Sequence, residues 1–333
     1  MERSDCEGMR TVTICSREAP LQATFVPGAG MLCCSLRHDG AELLARRAGV
    51  RAYAERGSTM GIPLLYPWAN RLAGFSYRAA RGAKAADGAG VDHAESARGA
   101  DAVVELPRKS PLLKLDEHGL PIHGVIPGGL AWELLDGADA RAPERLHARM
   151  RWQRPELLEI FPYVHTVELR ARLERATLTI ETEVHADDRA VPVSFGYHPY
   201  LSPPEGERGA WEVRLPVRER LQLDGEMIPT GAREPFEPRS FALGETGWDD
   251  AFAGLIEPPV FSLTAAERRI ELELLSGYSF AQLYAPSGES FACFEPMTAP
   301  TNALRSGDGL RFADPGEPFR AAFRISVSTA LER

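Results

Sequence analysis

Phe319-Arg320-Ala321-Ala322-Phe323-Arg324-Ile325-Ser326-Val327-Ser328 alternates, with every odd position apolar and the even positions mostly polar. Successive side chains of an extended chain point to opposite sides, so a period of two marks a strand with one face in a core and one in water. The pattern recurs twice between Val167 and Val184, as VELRARL and then TLTIETEV, joined at Glu174-Arg175-Ala176. Two such runs around a short joint predict an antiparallel hairpin. Phe261-Ser262-Leu263-Thr264 and Ile270-Glu271-Leu272-Glu273-Leu274 predict another pair around Ala265–Arg269, and Val213–Val217 and Leu221–Leu223 predict shorter strands.

Helical periodicity is thin by comparison. Glu42-Leu43-Leu44-Ala45-Arg46-Arg47 and Pro155–Ile160 are each long enough for a turn or two of helix. The 26 prolines and 30 glycines are spread along the chain, punctuating short strands. The reading is an all-β protein, a large antiparallel β-sandwich. The 333 residues are expected to form one domain over 1–333, since large all-β folds run this long as single units. Segments 79–100 and 136–145, rich in Ala and Gly with scattered charge, are expected to be surface loops over hairpin ends.

Composition narrows the function classes. Apolar residues make up 44% and charged residues 26%, ordinary for a globular protein with a real core. The net charge is −9 and no Lys/Arg run occurs, which argues against a nucleic-acid partner, because phosphate binding wants a basic face. No stretch reaches the length of a membrane span, and Met1-Glu2-Arg3-Ser4-Asp5 does not lead into an apolar signal core. Five cysteines without paired spacing fit a reducing, cytoplasmic setting better than a disulfide scaffold. Neighbours such as Cys33 and Cys34 point opposite ways on a strand, so one of them is expected to be a small core residue. No CxxC, HxxxH or HExxH occurs, so neither a metal nor another cofactor is expected.

Five segments carry the residue types of chemistry. They are Gly61-Ile62-Pro63-Leu64-Leu65-Tyr66-Pro67-Trp68-Ala69-Asn70-Arg71, Pro121-Ile122-His123-Gly124, Phe195-Gly196-Tyr197-His198-Pro199-Tyr200, Gly247-Trp248-Asp249-Asp250-Ala251-Phe252, and Cys293-Phe294-Glu295-Pro296-Met297-Thr298-Ala299-Pro300-Thr301-Asn302-Ala303. Each sets one or two polar groups among rigid or apolar neighbours, as small-molecule sites do. Glu295, between Phe294 and Pro296, is expected to be partly desolvated, which raises a carboxyl pKa and suits a general base. His198 carries an imidazole, a group that can titrate near neutral pH, and is flanked by rings that fit a sugar face as well as a protein core. Read singly, both histidines also fit satisfied structural groups, Arg71 a partner for a surface carboxylate, and Asp249 a turn residue or cap.

Taken in order and spacing, these segments resemble the aldose 1-epimerase (galactose mutarotase) family. The resemblance runs from GAGMLCCSLRHDGAELL (Gly28–Leu44) to the final strand, through PLLYPWANR, PIHG, FGYHPY, WDDAF and FEPMTAPTNA. It implies a galactose mutarotase-like supersandwich that converts the α and β anomers of a free hexose by acid–base ring opening, without cofactor or metal. By motif, Glu295 would take the proton of the anomeric hydroxyl and His198 would protonate the ring oxygen. His123 would support the developing charge there, and Asn70, Arg71 and Asp249 would bind sugar hydroxyls. Of the two adjacent carboxylates, spacing to Phe252 favours Asp249 over Asp250. His118 reads as a loop residue and Trp132 as core. The partner implied is a small-molecule monosaccharide, bound by a monomer or homodimer. The alternatives are a hexose-6-phosphate 1-epimerase, which needs a cationic pocket, and a non-catalytic sugar-binding protein of the same fold.

Overall fold

The computed structural model describes residues 6–78, 103–136 and 144–329. Two large antiparallel sheets face each other. One runs, in spatial order, Trp132–Asp136, Arg145–Trp152, His165–Glu174, Thr177–Ala186, Phe319–Thr329, Arg268–Ser276, Val260–Ala265, Glu212–Leu215, Arg239–Ala242. The other runs Pro229–Pro235, Val217–Leu223, Trp248–Leu255, Phe280–Ala285, Ala292–Met297, Gly196–Tyr197, Leu64–Leu65. A smaller sheet of Val12–Cys15, Leu21–Val26, Leu32–His38 and Ala41–Glu42 precedes them in the chain.

The alternation of Phe319–Ser328 is realised as the strand Phe319–Thr329, with Ala321, Phe323, Ile325 and Val327 buried. The predicted hairpin closes with Glu174 opposite Thr177, and the second pair with Ala265 opposite Arg268. Rings close the gap between the sheets: Tyr197 lies 5.0 Å from Phe323, and Phe294 lies 5.6 Å from Phe261. Thr182 and Tyr197 add a hydroxyl–hydroxyl bond of 2.7 Å across the same interface. The strands expected at Val213–Val217 and Leu221–Leu223 belong to different sheets. Glu212–Leu215 pairs within the first sheet and Val217–Leu223 within the second. The break falls at Pro216, which has no N–H to give a ladder.

One expectation is corrected. Glu42-Leu43-Leu44-Ala45-Arg46-Arg47 is extended, not helical: Ala41–Glu42 pairs with Leu32–His38, and the Leu43 and Ala45 amides donate to Leu36 and Tyr200 carbonyls at 2.9 Å. Leu43 and Leu44 are both buried, and that packing with ladder bonds on either side outweighs helix propensity. A short helix forms at Pro155–Leu158, as expected, and a longer one at Val50–Arg56. The segment 79–100 lies outside the described residues, as does 137–143 of the other expected loop. Cys33 and Cys34 do face opposite ways. Cys33 is in the main core, while Cys34 joins a separate apolar cluster with its sulfur 2.7 Å from that of Cys6.

His165 shows how the core treats an ionisable group. It is buried, donates from Nδ1 to the Tyr163 carbonyl at 2.6 Å, accepts the Tyr66 hydroxyl at Nε2, and stacks on Trp152. Burial pushes its pKa down to about 4. The unfolded chain therefore binds a proton below about pH 6.5 that the folded chain refuses until about pH 4, so stability falls as pH drops through that window. The slope contributed is about 1.4 kcal/mol per pH unit. Chemical denaturation at pH 7 and pH 5 should show this loss in the wild type and a shallower one in His165→Gln; equal slopes would mean that His165 is charged in the fold.

Candidate functional site

The second sheet presents its other face to the site. Along Ala292–Met297, Phe294 enters the core between the sheets, so Cys293, Glu295 and Met297 point the opposite way. Gln282 on the neighbouring strand sits directly across from Glu295, and Ala251 across from Gln282 one strand further. Asp249, two residues from Ala251, shares that face.

His198 comes to the same place by the same alternation. Tyr197 fills the core, and His198 and Tyr200 turn outward from it. His198 Nε2 lies 3.1 Å from Glu295 Oε1, with the two side chains 5% and 1% exposed. The imidazole stacks on the Tyr200 ring at 4.4 Å and 5°, and the Tyr284 ring meets it edge-on at 5.4 Å. The Tyr200 hydroxyl bonds Thr59 Oγ1 at 2.6 Å and accepts from Arg47 Nη1 at 3.2 Å, which fixes that platform. The His123 ring stands 5.7 Å from His198, nearly perpendicular to it.

His123 is delivered by the short strand Pro121–Val125, clasped against the segment Tyr66–Arg71. His123 N donates to the Asn70 carbonyl at 2.8 Å and Val125 N to the Tyr66 carbonyl at 2.9 Å. Both Asn70 and His123 hold the left-handed conformation, with φ of 52° and 62°. From there the Asn70 side-chain amide donates to Gln282 Oε1 at 2.9 Å, and Gln282 Nε2 donates to Asp249 Oδ1. The chain of amides thus links Asn70 to Asp249 across the face beside Glu295. Asp250 turns away and pairs with Arg220. Arg71 is held by Asp116 at 2.6 Å and Glu117 at 3.2 Å, so its reading as the partner of a carboxylate is met, though Asp116 is itself buried. His118 lies in the turn after Asp116, and Trp132 packs against the main core.

Gln282 escaped the sequence reading, although a lone amide in the apolar run Phe280-Ala281-Gln282-Leu283 was a usable signal. Arg47 and Thr59, which brace Tyr200, left none.

Burial sets the electrostatics. It raises the Glu295 carboxyl well above the usual carboxylate range, with Asp249 adding to the shift and Arg71 opposing it. It pushes His198 down to about 3, with Arg47 and Lys114 acting the same way, and His123 well below its ordinary value. Asp249 is raised too, again by burial first, against the hydrogen bond from Gln282. The pair therefore rests neutral, one proton between carboxyl and imidazole. Three buried atoms around it have no protein partner: Glu295 Oε2, His198 Nδ1 and His123 Nδ1. Buried polar atoms normally are bonded, and orphans on three neighbouring side chains fit a polar guest. Elsewhere among the described residues, Glu168, Glu183 and His185 are close enough together to hold a metal ion, but Arg149, Arg170 and Arg320 already bind those carboxylates.

The build of two large antiparallel sheets is that of the galactose mutarotase-like folds. A slr1438 protein from Synechocystis has 22% identity, with 96% of each chain covered and a TM-score of 0.71. The galactose 1-epimerase of Lactobacillus acidophilus has 14% identity, covering 96% of this chain and 99% of that one, with a TM-score of 0.70. The family model described as aldose 1-epimerase matches residues 95–326, and the chain belongs to that family. An uncharacterized Escherichia coli protein, YihR, is 26% identical over 145 residues; that alignment takes in 41% of this chain and spans 46% of the relative's length. Among the described residues no helix is long and apolar enough to cross a membrane.

Proposed function

We propose that the protein is an aldose 1-epimerase interconverting the α and β anomers of a free hexose such as galactose or glucose. The observation that carries this is the buried His198–Glu295 pair, 3.1 Å apart, with an unsatisfied atom on each partner. The hydroxyl oxygen and ring oxygen of a hemiacetal are bonded to one carbon, so an acid and a base within hydrogen-bond reach of each other address both.

In the working tautomer Glu295 is the carboxylate and His198 the imidazolium. Glu295 takes the proton from the anomeric O–H while His198 gives one to the ring oxygen, and the C1–O5 bond breaks to leave an open-chain aldehyde. The pair is left as carboxylic acid and neutral imidazole, the form that burial favours, so ring opening discharges the site. Rotation about C1–C2 turns the other carbonyl face to the C5 hydroxyl. Reclosure runs the two transfers backward, with each group in the opposite role. His123, neutral because of its burial, would meet the ring oxygen as a hydrogen-bonding group, and Asn70 and Asp249, tied through Gln282, would hold hydroxyls. Arg71, carried over as a hydroxyl ligand, is also the cation that a phosphorylated sugar would use. Its two carboxylate partners favour a neutral substrate.

Polarimetry of freshly dissolved α-D-glucose and α-D-galactose tests this. Rotation should relax faster with the protein than without it, in proportion to its concentration. Relaxation at the spontaneous rate for every aldose tried, glucose 6-phosphate included, would defeat the reading; saturable sugar binding without acceleration would leave a binding protein.

A further inference from the structure

Away from the sugar site, two nucleophilic side chains that it does not use face each other. Cys34 is the extra residue of a β-bulge in Leu32–His38: Cys33 lies opposite Phe25 and Ser35 opposite Thr24. The bulge lets Cys33 enter the main core while Cys34 joins a small apolar cluster with Val26, Leu32, Val50 and Met60. Cys6 enters that cluster from a turn closed by Met9 N on its carbonyl at 3.1 Å. The turn is anchored by Glu7, whose carboxylate accepts from Val50 N at 3.2 Å and Arg51 N at 2.8 Å, at the start of the helix Val50–Arg56. Two stretches of chain, each held by its own backbone bonds, thus bring buried sulfurs to 2.7 Å.

The two sulfurs are not equivalent. Arg46 Nη2 donates to Cys6 Sγ at 3.8 Å, so the guanidinium stands on the Cys6 side of the pair. The hydrogen bond from Cys34 and, after it, Arg46 pull the Cys6 thiol down to about 7, against burial and Glu7. Cys34 is pushed up by the same bond and by burial, so it holds the proton and Cys6 is the thiolate. Burial raises Cys15, Cys33 and Cys293 as well. Glu7 and Gly8 are exposed, so opening of this turn alone admits a molecule as small as hydrogen peroxide.

We propose that Cys6 and Cys34 are a peroxide-responsive dithiol, Cys6 the attacking sulfur and Cys34 the resolving one, whose disulfide locks the Cys6–Met9 turn to the bulged strand. The Cys6 thiolate attacks one oxygen of hydrogen peroxide, the O–O bond breaks, and hydroxide leaves and is protonated to water. That gives a sulfenic acid, which condenses with a neighbouring thiol. The Cys34 sulfur attacks the Cys6 sulfur, the S–S bond forms, the S–O bond breaks, and the hydroxyl leaves with the Cys34 proton as a second water. The two thiols lose two electrons and two protons, and the peroxide is reduced to two waters. A small dithiol reverses the bond by exchange. Neither step involves the sugar site.

The test is intact-mass measurement and peptide mapping of the full chain, with hydrogen peroxide raised until the half-buried Cys15 reacts and the remaining thiols blocked before digestion. Well before that point the wild type should lose about 2 Da, the mass of two hydrogens, and yield a linked pair of Cys6 and Cys34 peptides, both changes undone by dithiothreitol. Its melting temperature should rise by about 5 °C on oxidation, because the bond closes a loop between residues 28 apart in the unfolded chain. Cys34→Ala removes the resolving sulfur and should leave Cys6 as a sulfenic acid that dimedone captures, with no such rise. Cys6→Ser should leave Cys34 unoxidised. The wild-type measurements need no substitution in the buried cluster, so they decide even where a variant fails to fold. Cys6 and Cys34 both still thiols when Cys15 is oxidised, a disulfide that uses Cys33 instead, or a Cys6–Cys34 bond that leaves the melting temperature unchanged or lower would each overturn the proposal.

Discussion

Glu295→Gln is expected to lower kcat for mutarotation by about a thousandfold with little change in KM, the scale of losing a positioned general base. Glutamine keeps the shape and can still hydrogen-bond His198, so the sugar keeps its seat, but the amide takes up no proton. Stability should move the other way or not at all. The wild-type carboxyl is fully enclosed, its pKa is raised by burial and by Asp249, and an uncharged amide escapes that penalty. Loss of activity without loss of melting temperature therefore separates a chemical role from a structural one. His198→Gln should cost a similar factor, and the double variant little more than either, because the two groups make one proton-transfer unit. A loss under about tenfold in Glu295→Gln would remove it as the base.

What the sequence could and could not reveal follows the physics of each element. The sheets were legible because their signal is local: a half-buried strand must alternate, and Phe319–Thr329 and the hairpin His165–Glu174 with Thr177–Ala186 do so. Pro216 marked the switch of sheet, yet nothing local said that Val213 and Leu221 would part company. The extended path of Leu43–Ala45 was overlooked although its first partner, Leu36, lies only a tight turn away; the second, Tyr200, is remote in sequence and left no local signal. At the site, Glu295 could be suspected from Phe294 and Pro296 alone. Its distance to His198, nearly a hundred residues back, could not, and the link from Asn70 through Gln282 to Asp249 spans three separate strands or turns. Family resemblance supplied the grouping that local pattern lacks. The disposition of Arg71 against Asp116 and Glu117 was open to neither route and emerged only from the packed side chains.

The second large effect is expected at Gly124, which carries no chemistry. A methyl group built there would stand 2.0 Å from the Tyr66 carbonyl oxygen, 2.3 Å from its carbon and 2.7 Å from Pro67 N, all backbone atoms that no rotamer change can move aside. The residue also holds φ at +70°, a conformation that costs an L side chain about 1–2 kcal/mol. Gly124→Ala must therefore push apart the two segments whose bonds, Val125 N to Tyr66 O and His123 N to Asn70 O, place His123 beside His198 and Asn70 beside Gln282. The strain and overpacking together should cost about 2–5 kcal/mol of stability. A displacement of His123 on the ångström scale should lower kcat/KM about a hundredfold in the protein that remains folded. Gly119→Ala supplies the control. It has φ of +75° with nothing within 4 Å of the added methyl, so it bears the backbone cost without the collision. Melting curves and polarimetry on the two variants should differ by the collision alone. If Gly124→Ala melts with Gly119→Ala and keeps its rate, the clasp yields without disturbing His123, and that histidine's placement does not depend on it.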